Sequence, residues 1–343
     1  MLKNDIKKYD SKNVLASVEL FYAQCKKSWD TTIYKNDKNE ISNILVIGMG
    51  GSALGAQIIQ SLNILKVPMH ISNEYTIPEW VNKNTLVLAM SYSGGTEETV
   101  KALDSALAKK ANIVGITTGG KLAEILKKKK LPLCLIDKTD NPCGQPRFAV
   151  GSMMMIMLRI FIHHKLCRLN TKDISSALSE LESEKVLNDK SLEKKYNQIS
   201  KLKDKILVLV YAEHLSNVGL FARNQIHETS KTFAVTHNIP ELNHHLMEGL
   251  SYPASNKNIL HFIFTESTLY SDKIQKRIGV TKEVLKKQKI KSSVVEARGG
   301  SHLSEVLIQI LDSMYFAYLL GIANKKDPSD IRWVDYFKAQ LSK

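Results

Sequence analysis

Cysteine is scarce and scattered. Cys25, Cys134, Cys143 and Cys167 are the four in the sequence, and none pair as CxxC. That spacing suits neither a zinc site nor a disulfide framework, so free thiols in a reducing compartment are expected. No HExxH sequence places two histidines and a carboxylate on one helix face, so no metal is expected. Long apolar runs are missing too: none approaches the roughly 20 residues needed to span a bilayer. The opening stretch MLKNDIKKYDSKN has no apolar segment of the signal-peptide kind. A cytoplasmic protein with no membrane partner is the expectation. Aromatics make up only 7% of the residues. They are not interleaved with the basic residues as in single-strand nucleic-acid binders, and no recognised nucleic-acid module is visible, so nucleic acid is not an expected partner. Lysine and arginine nevertheless outnumber aspartate and glutamate by 48 to 34, for a net charge of +14. The run Lys127 to Lys130 reads as a solvated helix end, and the overall excess favours small anions over a distance.

The 343 residues, 43% of them apolar and 24% charged, are enough for two domains that each bury a core. From Ile41 onward short apolar runs alternate with helical stretches. Ile44–Ile47, Val67–Ile71, Leu86–Met90, Ile113–Ile116 and Leu131–Ile136 read as strands, with helices after the first, third and fourth. Strands separated by helices predict a parallel, doubly wound, flavodoxin-like α/β sheet. Residues 150 to 166 read as a buried helix, and 171 to 205 as polar helices bridging two domains. The pattern then restarts, with strands at Ile206–Val210, Ile259–Phe264 and Ser292–Val295. Helices are expected at about 217–231, 272–287 and 303–320, and an amphipathic helix at 331–341. The expected domains are 1–150 and 151–343, the second including the bridging helices and the C-terminal helix.

Two loops carry the chemistry. Gly48-Met49-Gly50-Gly51-Ser52-Ala53 joins a buried strand to a helix, where glycines permit close backbone approach and the helix N-terminus attracts an anion. Gly48, Gly50 and Ala53 also match a dinucleotide fingerprint, with Glu74 lying about 20 residues on. This loop alone therefore leaves a dinucleotide, another anion and a purely structural turn open. Ser91-Tyr92-Ser93-Gly94-Gly95-Thr96-Glu97-Glu98-Thr99 also leaves a strand and opens a helix. The hydroxyls of Ser91, Ser93 and Thr96 around a glycine pair suit a phosphate monoester, more than an ordinary N-cap by Thr96 would need.

These two loops resemble those of the sugar-phosphate isomerase (SIS) domain family. Ile116–Ala123, Pro146–Gly151, Pro240–His244 and Asp327-Pro328 are similar to segments of the bifunctional phosphoglucose/phosphomannose isomerases, so the resemblance runs from about Ile44 to the C-terminus. It implies two SIS domains and a cofactor-independent aldose–ketose isomerase acting on glucose 6-phosphate and mannose 6-phosphate. The phosphate would lie at Gly51, Ser52, Ser91, Ser93 and Thr96. Glu228 takes the position of the family's catalytic base, flanked by His227 and Thr229 where the family usually has asparagines. His244 matches the ring-opening histidine, though His245-Leu246-Met247 depart from the commoner following residues. Arg147 matches the arginine facing the reacting carbons, and Lys338 a lysine of the last helix. The resemblance also implies a homodimer in which His244 reaches the partner's site. SIS domains serve as non-catalytic sugar-phosphate-binding regulators as well, and such a protein would need the second loop but not Glu228, His244 or Arg147.

Overall fold

The computed structural model describes residues 2–32, 34, 40–184 and 186–341. The chain forms two compact units, Glu19–Lys185 and a second made of Met1–Val18 with Val186–Lys343. Two short helices, α1 (Leu2–Tyr9) and α2 (Val14–Glu19), precede α3 (Phe21–Thr31). The first unit then runs β1 (Asn43–Gly48), α4 (Gly51–Ser61), β2 (Met69–Ser72), β3 (Thr85–Ser91), α5 (Glu97–Ala108), β4 (Asn112–Thr117), α6 (Gly120–Lys128), β5 (Leu133–Leu135), α7 (Val150–His163) and α8 (Thr171–Glu184). Its strands form one parallel sheet in the order β2-β1-β3-β4-β5.

Every residue of β3 is buried, as a central strand covered on both faces requires. Leu45, Ile47, Val87, Ala89 and Ile113 pack against Ala102, Leu103 and Ala106 of α5 and Leu122 and Leu126 of α6. Their chain neighbours Val46, Leu88 and Val114 are fully buried on the opposite face. In this register Gly48, the last residue of β1, pairs with Met90 of β3. The loops after these strands therefore leave the sheet at the same edge.

The boundary expected at residue 150 falls at the first residue of α7. This helix is buried without a break from Val150 to Leu158 and packs on α3 and α4. Gly55 lets it approach closely: a Cβ there would lie 3.1 Å from Met154 and 3.2 Å from Met157. The compact unit accordingly includes α7 and α8 and runs to Lys185. Lys185, inside the expected bridging stretch, lies outside the described residues.

The second unit begins with α1. Asp10 caps α2 by accepting the Val14 and Leu15 N–H groups at 2.7 and 3.0 Å. The unit continues with α9 (Asp189–Ile199), β6 (Ile206–Ala212), α10 (Ser216–Gln225), β7 (Ala234–Ile239), the short α11 (Leu246–Gly249) and α12 (Asn256–Ile259), β8 (Leu260–Glu266), α13 (Asp272–Lys287), β9 (Lys291–Glu296), α14 (His302–Ala323) and α15 (Arg332–Leu341). Its sheet is parallel, in the order β7-β6-β8-β9. The Tyr318 hydroxyl of α14 donates to Asp10 at 3.1 Å, which ties the N-terminal residues to this unit instead of the first. Helix α14 is long and apolar enough by composition to cross a membrane, but 89% of its most apolar window is buried, as in a core helix. Strand β7 was not foreseen. It is an edge strand reading Ala-Val-Thr-His-Asn-Ile, with four half-buried residues, so it lacks the apolar run that marks the central strands.

Burial lowers the pKa values of three histidines in this unit: His237, with a contribution from His245; His261, with Lys205 and Lys291; and His302, with His214. A folded-state pKa below the usual 6.5 means that the unfolded chain binds more protons as pH falls through that value. Stability is therefore lost in that direction. The melting temperature should drop between neutral pH and about pH 5, before most carboxylates titrate. Replacing His261 by Gln should flatten the drop, and a melting temperature flat across this range would contradict the assignment.

Candidate active site

In the first unit the two loops after β1 and β3 are bonded to each other. Gly50 has φ +50 and α4 starts one residue later. The Ser52 hydroxyl accepts the Tyr92 N–H at 3.1 Å. In the second loop the Ser91 hydroxyl accepts the Gly94 N–H at 3.0 Å and lies 2.8 Å from the Thr96 hydroxyl. The Ser93 hydroxyl accepts the Gly95 N–H at 3.3 Å. Ser52 and Ser91 are buried and Ser93 is exposed. Thr96 is the N-cap residue of α5, but its side chain makes no capping bond and turns to Ser91 instead. The first-turn N–H groups of α5 are thus not taken by that side chain, and a helix terminus of this kind favours an anion.

A third loop supports the second from behind. Gly94 has φ +73, and a Cβ there would lie 1.8 Å from the Gly119 carbonyl oxygen. The Leu122 N–H and the Thr118 hydroxyl donate to the carbonyls of Gly94 and Tyr92 at 2.8 and 2.7 Å. Arg147 sits in a short 3-10 turn, Pro146–Phe148, and is 2% exposed. Its backbone lies against Gly51, where a Cβ would be 3.2 Å from the Arg147 Cα. Its guanidinium donates to Gln145 Oε1 at 3.0 Å and lies 5.2 Å from the centre of the Phe148 ring. The five expected phosphate residues and Arg147 are therefore brought together around one pair of loops. Asn141 was not foreseen. It donates to the Tyr92 hydroxyl and the Gln145 carbonyl, each at 3.0 Å, and so joins the arginine turn to the second loop; no motif marks it in the sequence.

In the second unit α10 does not run on as the expected helix. It passes into a π-helical turn, Ile226–Ser230, closed by Lys231 in the left-handed conformation. Such turns are rare and recur at functional sites. Ile226, Thr229 and Ser230 are buried, while Glu228 is half-buried. Gly321 of α14 permits the fit, since a Cβ there would lie 2.7 Å from the Thr229 carbonyl oxygen. Glu228 lines a cleft of about 540 Å³ together with His227, Lys231, Lys325, Asp327 and Arg332. Burial would raise the Asp327 pKa, but hydrogen bonds from Ser11 and Ser329 hold it below the usual carboxylate range. The His227 ring is fixed by Nε2, 2.8 Å from the Ala234 carbonyl oxygen, and stacks on Phe233 at 5.9 Å. His244 ends a 3-10 turn, Glu241–His244, and Lys338 lies on α15. Both are exposed, and neither lines the Glu228 cleft.

Among the described residues, the corresponding edge of the second sheet holds no comparable cradle. The loops after β6 and β8 converge there on the carboxylate of Glu305, which is 1% exposed. His214 Nε2 lies 2.7 Å from it, and the Ser267 hydroxyl donates to both its oxygens at 2.9 and 2.7 Å. The protein's own carboxylate occupies the position that a ligand anion takes in an open α/β crevice. Glu305→Ala should cost roughly 1–3 kcal/mol by leaving the buried His214 and Ser267 side chains without this partner. For a unit of this size that is a fall in melting temperature of roughly 2–12 °C. Calorimetry showing a fall of under about 2 °C would mean that the pair contributes little.

The two parallel sheets and the joined loops at the edge of the first define an α/β protein of the SIS class. A family model described as SIS domain matches residues 39–163, and one described as bacterial phospho-glucose isomerase C-terminal SIS domain matches residues 194–341. Over 302 residues the chain is 30% identical to the bifunctional phosphoglucose/phosphomannose isomerase of Thermoplasma acidophilum, covering 88% of this chain and 90% of that one. It is 29% identical over 313 residues to the enzyme of the same name from Caldicellulosiruptor bescii, at 88% and 90% coverage. Among solved structures, a hypothetical protein from Thermus thermophilus superposes with a TM-score of 0.75 at 16% identity, covering 99% of this chain and 92% of that one. The chain belongs to the bifunctional phosphoglucose/phosphomannose isomerase family.

Proposed function

We propose that this protein interconverts glucose 6-phosphate and mannose 6-phosphate with fructose 6-phosphate through a cis-enediolate, without a cofactor. The observation that carries this reading is the loop cluster of Ser52, Ser91, Ser93 and Thr96, with Gly51 and Arg147 packed against each other, in a chain of this family. The phosphate is anchored by these hydroxyls, by the backbone at Gly51 and by the start of α5, which fixes the sugar for reaction at its other end. His244, assisted by Lys338, moves the protons that open the ring. Glu228 takes the C2 proton of the open aldose and returns it to C1, while the proton on the C2 hydroxyl passes to the oxygen on C1. One carboxylate suffices because both carbons lie in one plane in the enediolate. Arg147 stabilises the negative charge that develops on oxygen. Glucose 6-phosphate and mannose 6-phosphate differ only at C2, and both lose that stereocentre in the same enediolate. An assay from fructose 6-phosphate that reads both aldoses tests the proposal. Formation of neither would leave a sugar-phosphate binder without catalysis.

The active form is proposed as a homodimer in which His244 serves the partner's site, a role for which its exposure suits it. Mixing inactive Glu228→Gln and His244→Ala proteins under subunit exchange should then restore activity, because one site of each mixed dimer carries neither change. Mixtures that stay inactive although mass spectrometry shows mixed dimers would place both residues in a site of one chain.

A further inference from the structure

The second unit holds another cavity, of about 600 Å³, which shares no lining residue with the loops or the cleft described above other than the π-helical turn itself. Glu228 of that turn faces the cleft, and Ile226 faces this cavity. Its floor is one face of the sheet, built from alternate residues of β6 and β8 and from Ser293 to Glu296 of the edge strand β9, with Leu209 paired to Ile263 and Ile263 to Ser293. Its walls come from α9 and α14. A volume of a few hundred Å³, mostly apolar with a few convergent polar groups, is the usual form of a small-molecule site.

Three features specify a ligand. The floor at Leu209, Ile263 and Val295 is apolar. Gln309 on α14 is 4% exposed, and its Oε1 has no hydrogen-bond partner. The same side chain is hydrogen-bonded to the neighbouring Tyr211 hydroxyl, which also bonds Thr265 and Ser313, so Oε1 is the end left over. A buried carbonyl without a donor is rare in native proteins and calls for one. The charged wall is cationic in excess. Lys195 and Arg298 both bind Asp312, at 2.7 Å each, and Lys201, which also lines the cavity, forms no ion pair among the described residues. Glu296 is the other carboxylate of the lining.

From these features we infer that the cavity is a second ligand site, for a small organic anion with an apolar body and an N–H or O–H donor. The body lies on Leu209, Ile263 and Val295, the donor serves Gln309, and the anionic group meets Lys195, Lys201 and Arg298. A sugar phosphate, polar along its whole length, does not match this floor, so the site is distinct from that of the proposed isomerase substrate.

The probe that tests this is 8-anilino-1-naphthalenesulfonate, which combines an apolar ring system, one N–H and one sulfonate. Titrated into the full-length protein, it should bind at one saturable site per chain and should not be displaced by fructose 6-phosphate. Ser293→Trp, which fills the cavity from a half-buried position on the edge strand, should abolish that binding and leave isomerase activity unchanged. Lys201→Glu, a surface change, should weaken binding at least about fivefold through charge alone. Absence of saturable binding, displacement by fructose 6-phosphate, or affinity unchanged in both variants would each overturn the inference.

Discussion

Glu228→Gln should give a folded protein that binds fructose 6-phosphate but isomerises it about 10²-fold more slowly or worse, the usual scale for removing a general base. The side chain is half-buried and stands on a turn whose fixed residues are its neighbours. Ser230 donates to the Ile226 carbonyl at 2.6 Å, and Thr229 to Gln225 at 3.3 Å. Gln is nearly the same size, so the turn and the melting temperature should be unchanged. The most direct measurement is exchange of the substrate C2 proton with deuterated water, followed by NMR. The wild type should exchange during turnover, and the variant should exchange almost none. A variant that exchanges and isomerises near the wild-type rate would put the base on another residue.

Replacing Ser93 and Thr96 together by Ala should raise KM by roughly 10²-fold or more, since each hydrogen bond to a charged group contributes about 1.5–3 kcal/mol. The fold should tolerate the change. Ser93 is exposed, and Thr96 makes no capping bond that α5 would lose. The loop backbone is held separately by the Gly94 N–H on Ser91 and by Leu122 on Gly94. Ser91 loses one partner, the Thr96 hydroxyl, and keeps the other. Steady-state kinetics with fructose 6-phosphate checks this, and a KM within about threefold of wild type would take the phosphate away from these hydroxyls.

Most of the first sheet was legible because its strands are short apolar runs covered on both faces, and such runs stand out between helices. The two hydroxyl-rich loops were legible for a related reason. A bound anion needs hydroxyls and glycines close together in sequence at a helix start, so the signal is local. The edge strand β7 was not legible, because half-exposed residues at an edge carry no apolar run. The π-helical turn was not legible either. Ile226–Ser230 has ordinary helical composition, and the fit of Thr229 against Gly321, some ninety residues away, accompanies the irregular turn. The allocation of residues 1–18 and of α7 followed contacts, not composition. Asp10 meets Tyr318 across most of the chain, and α7 packs on α3 and α4.

The sequence by itself determined the α/β architecture, the two-fold repetition of its pattern, and the hydroxyl-rich loops that the fold brings together. Those depend on hydrophobic period and on local loop chemistry, which a linear chain displays directly. Only the tertiary structure decided that Arg147 lies against the first loop, that Glu228 opens into a cleft while Ile226 two residues earlier lines a different cavity, and that Glu305 fills the crevice of the second sheet. Each of these is a meeting of residues far apart in the chain. Its energy comes from the burial and hydrogen bonding of both partners at once, and neither partner's local sequence records it.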